Sequence, residues 1–295
     1  MILLTGGTGF VGSSLAMELL LEGRSVRCLS RRPERAIALK EAGCELARGD
    51  VTSITTLLKA VTPDVEAVIH LVGILNEERG STYRAVHVDG TRNVIDACRG
   101  MGIARLIHMS ALGARASSGS EYHRTKWEAE ELVRSSGLDY TIFRPSVIFG
   151  RGDHFTTIFA RAMRLLPAVF VPGDGRGRMQ PVSVRDVSRA FAMSLAKKEA
   201  GGKSLDLAGP EALTLDDVID RIGAVIGRRP RKVHVPMRLM TLNALVLEKL
   251  LPRPPVSREA LKMLLEDNTT SLNALVEVFG IAPESLETGM KAYLS

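Results

Sequence analysis

An α/β fold with a doubly wound parallel sheet and a smaller, mostly helical C-terminal region is what this sequence predicts. Short apolar runs alternate with helix-length segments of amphipathic spacing over residues 1–150. A glycine-rich turn joins the first strand-like run to the first helix-like one. After Gly150 the alternation loosens.

The elements follow in order. Ile2 to Thr5 reads as a short buried strand. Val11 to Glu22 places Val11, Leu15 and Leu19 at helical spacing before Gly23 stops it. Ser25–Ser30 and Cys44–Ala47 read as the second and third strands, and Ala67–Val72 as a strongly apolar fourth. A helix over Val88–Met101 ends at Gly102, and Leu106–Met109 is the fifth strand. Tyr122–Ser135 is a helix, and Tyr140–Arg144 a sixth strand running into Pro145. Ligands of such a sheet bind at the carboxyl ends of its strands.

Beyond Gly150, residues 172–179 (PGDGRGRM) form a glycine-rich loop, and Val182–Leu195 and Leu213–Ile226 look helical. The tail from Met237 is mostly helix, broken by Pro252, Pro254 and Pro255. We expect residues 1–171 to form the nucleotide-binding domain, with 180–208 returning to it, and 172–295 to form a smaller substrate-facing region. Leu239–Leu247 (LMTLNALVL), between Arg238 and Lys249, is expected as an interior helix of that region. Peripheral docking on an inner membrane or a quinone enzyme is the alternative.

Composition excludes several classes. At 295 residues, with 45% hydrophobic and 24% charged residues, the chain has ample material for a core and no sign of disorder. No run approaches the roughly 20 apolar residues that span a bilayer. The apolar start breaks at Gly6, so a secretory signal is not expected and a cytoplasmic location is. Cys28, Cys44 and Cys98 form no CxxC pair and read as buried reduced thiols. The six histidines show no HxxxH or HExxH spacing, so no metal site is expected. The net charge of +6 suits an anionic partner, but the basic residues are scattered and aromatics amount to only 4%. Nucleic-acid binding is therefore not expected. A phosphate-rich cofactor accounts for part of the charge.

Thr5-Gly6-Gly7-Thr8-Gly9-Phe10-Val11-Gly12 lies between first strand and first helix. Glycines there permit a tight turn, let backbone approach a pyrophosphate and let the helix pack closely on the sheet. The helix N-terminus offers free N–H groups to phosphate. A plain flexible turn would look similar, but a start at residue 5, after a strand and opening a helix, favours the dinucleotide turn of a Rossmann domain. For NAD(H), a carboxylate is expected at the end of the second strand; this chain has Ser30-Arg31-Arg32. A guanidinium pairs with the 2′-phosphate of NADP(H), so NADP(H) is preferred. NAD(H) stays open if both arginines are merely solvated. Asp50 and Val51, after the third strand, stand where an adenine ring is flanked.

TGGTGFVG, GDV after the third strand, HLVG at 70–73, YHRTK at 122–126 and RPSVIFG at 144–150 together resemble the short-chain dehydrogenase/reductase superfamily, in its extended or atypical branch. VHVDGTRNVIDA, LIHMSALGA, PGDGRGRMQPVSVRDV and LAGPEALTLDDV are similar to bacterial relatives of the 39 kDa accessory subunit of respiratory complex I, described as NAD-dependent epimerase/dehydratase-like proteins. The resemblance covers most of the chain and is specific through about residue 210. It implies that Leu71, Val72 and Gly73 border the cofactor and that Pro145 and Ser146 lie nearest the nicotinamide. It also implies that the loop at 173–177 and Gln180 face a substrate.

Tyr122 and Lys126, four residues apart, share one helix face. In the superfamily such a tyrosine is the general acid/base of hydride transfer. The lysine lowers its pKa and holds the nicotinamide ribose. Ser110 would hydrogen-bond the substrate oxygen. Two departures stand out: Ser110 is followed by Ala111 and Leu112 rather than by further hydroxyls, and His87 occupies the usual position of an asparagine. The preferred expectation is an oxidoreductase or epimerase acting on a small carbonyl or hydroxyl compound. The competing one is a non-catalytic NADP(H)-binding sensor or accessory factor of a respiratory or quinone-related complex. The residues specify neither the substrate nor an oligomeric state.

Overall fold

The computed structural model describes residues 1–78, 80–251, 256–264 and 266–294. Its first half alternates β1 (Ile2–Thr5), α1 (Phe10–Leu21), β2 (Val26–Ser30), α2 (Ile37–Glu41), β3 (Glu45–Arg48), α3 (Ile54–Leu58), β4 (Ala67–His70), α4 (Gly90–Gly100), β5 (Arg105–Met109), α5 (Glu121–Arg134) and β6 (Asp139–Pro145). Then come β7 (Ile148–Phe149), α6 (Thr156–Leu165), β8 (Ala168–Pro172), β9 (Arg178–Met179), β10 (Val182–Ser183), α7 (Val184–Ser194) and β11 (Lys203–Leu207). The chain closes with β12 (Leu213–Thr214), α8 (Leu215–Val225), β13 (Arg231–Val235), α9 (Met237–Leu250), α10 (Arg258–Leu264), α11 (Ala274–Glu277) and α12 (Leu286–Leu294).

Seven strands form one parallel sheet in the order β11-β6-β5-β4-β1-β2-β3. The order reverses between β1 and β4, which opens a crevice at their carboxyl ends. Every residue of β1, β2 and β4 is buried, as expected of a sheet covered on both faces. Alternation decides which face each residue serves. Ile2, Leu4, Ile69 and Phe143 pack with Leu15 and Leu19 of α1 and Phe191 of α7. Leu3, Val68, Leu106 and Ile142 pack on the other face with Val94, Cys98 and Val133. A third cluster, including Phe149, Val171, Ile219 and Met290, gives the C-terminal region its own core.

Three features depart from the sequence expectation. α4 is preceded by a π-helical stretch, Arg84–Asp89. Residues 182–183 and 213–214 are short strands, so α7 and α8 each begin two residues later than expected. α9 is not an interior helix: Ala244 is its only buried residue among those described. Pro252, Pro254 and Pro255, expected to break the tail, lie outside the described residues.

Candidate active site

The glycine turn is built by contact. Gly6 takes φ +78°, which a side chain disfavours. A Cβ on Gly7 would stand 2.6 Å from Cys28 Sγ, and one on Gly12 2.2 Å from the carbonyl oxygen of Gly6. No side chain caps α1 at Gly9, so its first-turn N–H groups are left for an anion. Thr8 and Gly9 are exposed, whereas Thr5, Val11 and Gly12 are buried. Phe10 packs against the core. This cradle fits a dinucleotide pyrophosphate.

At the end of β2, the Ser30 hydroxyl accepts the N–H of Arg32 at 3.2 Å. Arg31 and Arg32 are both exposed, and neither guanidinium has an ion-pair partner among the described residues. Arg48, on the neighbouring strand, reaches the Arg31 carbonyl at 3.3 Å and Glu34 at 2.8 Å. Asp50 spends its carboxylate on the N–H and hydroxyl of Thr52. Val51 is buried, and its carbonyl accepts Asn93 Nδ2 at 2.8 Å.

The strand ends across the crevice bring other predicted residues together. The Leu71 N–H donates to the Thr5 carbonyl at 3.0 Å, which carries the chain through Val72 to Gly73 beside the turn. A Cβ on Gly73 would lie 3.5 Å from His87 Nε2 and 3.8 Å from Lys126 Nζ. Lys126 is buried and donates to the carbonyl of Met109, the last residue of β5. Ser110 follows; its hydroxyl is buried and has no hydrogen-bond partner. The Tyr122 ring packs edge-on against His87 (5.4 Å between centroids) and Tyr83 (6.1 Å). Glu130, fully buried on α5, accepts Arg144 Nε at 2.8 Å and also pairs with Arg134. That ion cluster fixes the helix carrying Tyr122 and Lys126 to β6.

Burial dominates the electrostatics. It lowers Lys126 to about 8, Glu130 partly opposing, and raises the Tyr122 phenol to about 12. Burial is the cause that sets the Tyr122 phenol, and the lysine charge does not offset it. That charge acts instead on His70, His87 and His108, all depressed chiefly by burial.

The far wall is held by hydrogen bonds within the chain. Pro145 ends β6, and its carbonyl accepts the Leu112 N–H at 2.9 Å. The Ser146 hydroxyl donates to the Asn268 carbonyl at 3.0 Å and accepts the Gln180 N–H at 3.2 Å. Both ends of the Gln180 amide are tied to the protein's own backbone. Its amide donates to the Gly209 carbonyl at 2.9 Å, and its side-chain oxygen accepts the Thr270 N–H at 3.1 Å. The loop at 173–177 lines a cavity of about 250 Å³ with Leu215, Met237 and Leu264.

Sequence reasoning noted His87 only as a departure and missed Glu259 and Glu266. His87 accepts the Ile74 N–H at Nε2 (3.1 Å), so its proton sits on Nδ1 and is donated to Thr125 Oγ1 at 2.9 Å. The imidazole is thus neutral and fixed beneath Tyr122. Glu259 accepts the Ser120 hydroxyl at 2.6 Å and the Tyr122 N–H at 3.1 Å, and Glu266 meets His123 Nδ1 at 3.1 Å. These pairs lie more than 130 residues apart in sequence, where no local signal reaches.

A family description decides the assignment: that of the NAD dependent epimerase/dehydratase family matches residues 2–208. The chain belongs to this family. Among its relatives, the mitochondrial NADH-ubiquinone oxidoreductase 40 kDa subunit of Neurospora crassa is 26% identical over 296 residues, covering 98% of this chain and 77% of that protein. The ceramide reductase of Caulobacter vibrioides is 28% identical, covering 83% and 77%. The UDP-glucose 4-epimerase of Thermotoga maritima, solved with UDP-glucose, superposes with a TM-score of 0.79 over 99% of this chain and 97% of its own, at 19% identity. That likeness establishes the fold. Family membership establishes an NAD(P)-type cofactor. Among the described residues no cluster suits a metal ion, and no helix is long and apolar enough to cross a membrane.

Proposed function

We propose that this family member binds NADP(H) and interconverts a carbonyl and a hydroxyl group on a small substrate. The observation that carries this reading is the Ser110 hydroxyl, buried without a partner at the end of β5. A buried hydroxyl in that state costs about 1–3 kcal/mol, a cost that a substrate oxygen relieves.

The roles follow from position. The turn Gly6–Gly12 and the start of α1 hold the pyrophosphate, and Arg31 and Arg32 take the 2′-phosphate. Lys126 holds the nicotinamide ribose. When bound, the nicotinamide supplies or accepts the hydride. Tyr122 donates its proton to the carbonyl oxygen in reduction and removes it in the reverse direction, while Ser110 hydrogen-bonds the same oxygen. Buried free thiols at Cys28, Cys44 and Cys98 suit a reducing, cytoplasmic setting.

One observation favours a second reading, a held cofactor without turnover in an accessory role. Glu259 and Asn268 bond the Tyr122 N–H and the Ser146 hydroxyl to the protein's own chain, and the Neurospora relative is named as a subunit of a respiratory enzyme. A panel of aldehydes and ketones assayed with NADPH separates the two. We expect at least one to be reduced with NADPH consumed in equal amount. Saturable NADPH binding with no carbonyl reduced supports the accessory reading.

A further inference from the structure

Among the described residues, nothing covers the apolar side of α9. Leu239, Leu242, Val246 and Leu250 recur at helical spacing and are 50%, 56%, 48% and 73% exposed. Next to this stripe in sequence and pairing lie more exposed apolar groups. Phe170 in β8, 60% exposed, stands opposite Val233 of β13, the strand that leads into α9, and exposed Leu165 and Leu166 lie one proline before β8. Monomers rarely leave contiguous apolar surface of this kind in water without a use for it.

On α9 itself the free charge has one sign. Glu248 is the only acid in α9, and it is engaged by the Arg258 backbone N–H and Nε, each at 2.7 Å. Arg228, Arg229, Arg231, Arg238 and Lys249 are exposed, and none forms an ion pair among the described residues. A second copy of the chain would set these cations against themselves, which like-charge repulsion opposes. An anionic bilayer offers both partners at once: acyl chains for the leucines and phosphates for the arginines.

We infer that α9 docks in the headgroup plane of an anionic lipid bilayer, with Leu239, Leu242 and Val246 inserted and Arg228, Arg229, Arg231 and Arg238 on lipid phosphates. None of these residues belongs to the dinucleotide turn or the Tyr122 site, so this holds whether or not the proposed reaction does.

Sedimentation of the full chain with extruded phosphatidylcholine vesicles, with and without about one third phosphatidylglycerol, tests the assignment. The chain should bind the anionic vesicles and be released by salt. Arg228→Ala with Arg229→Ala should weaken binding about fivefold per arginine. Leu242→Glu with Val246→Glu should weaken it more than about tenfold, with NADPH binding and thermal midpoint retained. No binding to anionic vesicles, or binding indifferent to the Leu242→Glu/Val246→Glu pair, would overturn it. So would light scattering that shows a dimer dissolved by that pair.

Discussion

Tyr122→Phe is expected to lower kcat for carbonyl reduction by about 10²–10⁴-fold, the range for loss of a positioned general acid. The change removes one oxygen and leaves the ring contacts with Tyr83 and His87, so the thermal midpoint should hold. The pH profile separates this role from a structural one. With the phenol at about 12, Tyr122 is protonated, and able to donate, throughout the neutral range. Reduction should then lose no activity through this group below pH about 11. Alcohol oxidation needs the phenolate and should climb with pH toward that value. Lys126, at about 8, releases its proton first, so a fall in reduction just above pH 8 reports the lysine. Steady-state rates in both directions across pH 6–11 check this. Equal turnover by the phenylalanine variant would remove Tyr122 from the mechanism.

Acid should unfold the chain unusually early. Burial holds His70 to about 3 and His87 to about 2, and His108 well below its ordinary value, with the Lys126 charge adding to each. In the unfolded chain each imidazole takes its proton near pH 6.5. Between about 6.5 and 3 the unfolded state therefore binds more protons than the folded one, and stability falls as pH falls. Each histidine contributes about 1.4 kcal/mol per pH unit once well below 6.5, and three give roughly 4. Asp186 and Asp206, raised by burial, work in the opposite sense nearer pH 4 and offset part of this. Urea midpoints measured from pH 8 to 5 should change only gently above 7, where Lys126 at about 8 begins to release its proton in the folded chain, and drop steeply below 6. His108 provides the control, since neither of its ring nitrogens has a partner. His108→Leu should remove about a third of the slope and raise stability at pH 7 by about 1 kcal/mol. A midpoint independent of pH from 8 to 5 would contradict the account of the buried imidazoles.

Much of the sheet was legible because each central strand is an apolar run buried on both faces, and because Gly7 and Gly12 leave no room for a Cβ. The histidines were not. His70 and His108 meet only because β4 and β5 pair with these two residues in register, their rings 5.2 Å apart; spacing along the chain carries no trace of that. The bonds from Glu259, Glu266 and Asn268 to the neighbourhood of Tyr122 and Ser146 form across more than 120 residues. α9 shows the limit of periodicity most plainly. The pattern gives a helix with an apolar side, but whether a core or a lipid surface covers that side depends on tertiary placement.

Paired titrations of the purified protein with NADPH and NADH decide whether Arg31 and Arg32 commit the site to a 2′-phosphate. NADPH should bind at least about tenfold more tightly, and Arg31→Ala with Arg32→Ala should erase the difference without weakening NADH. Equal affinities in the unaltered chain, or a preference that survives loss of both arginines, would contradict it.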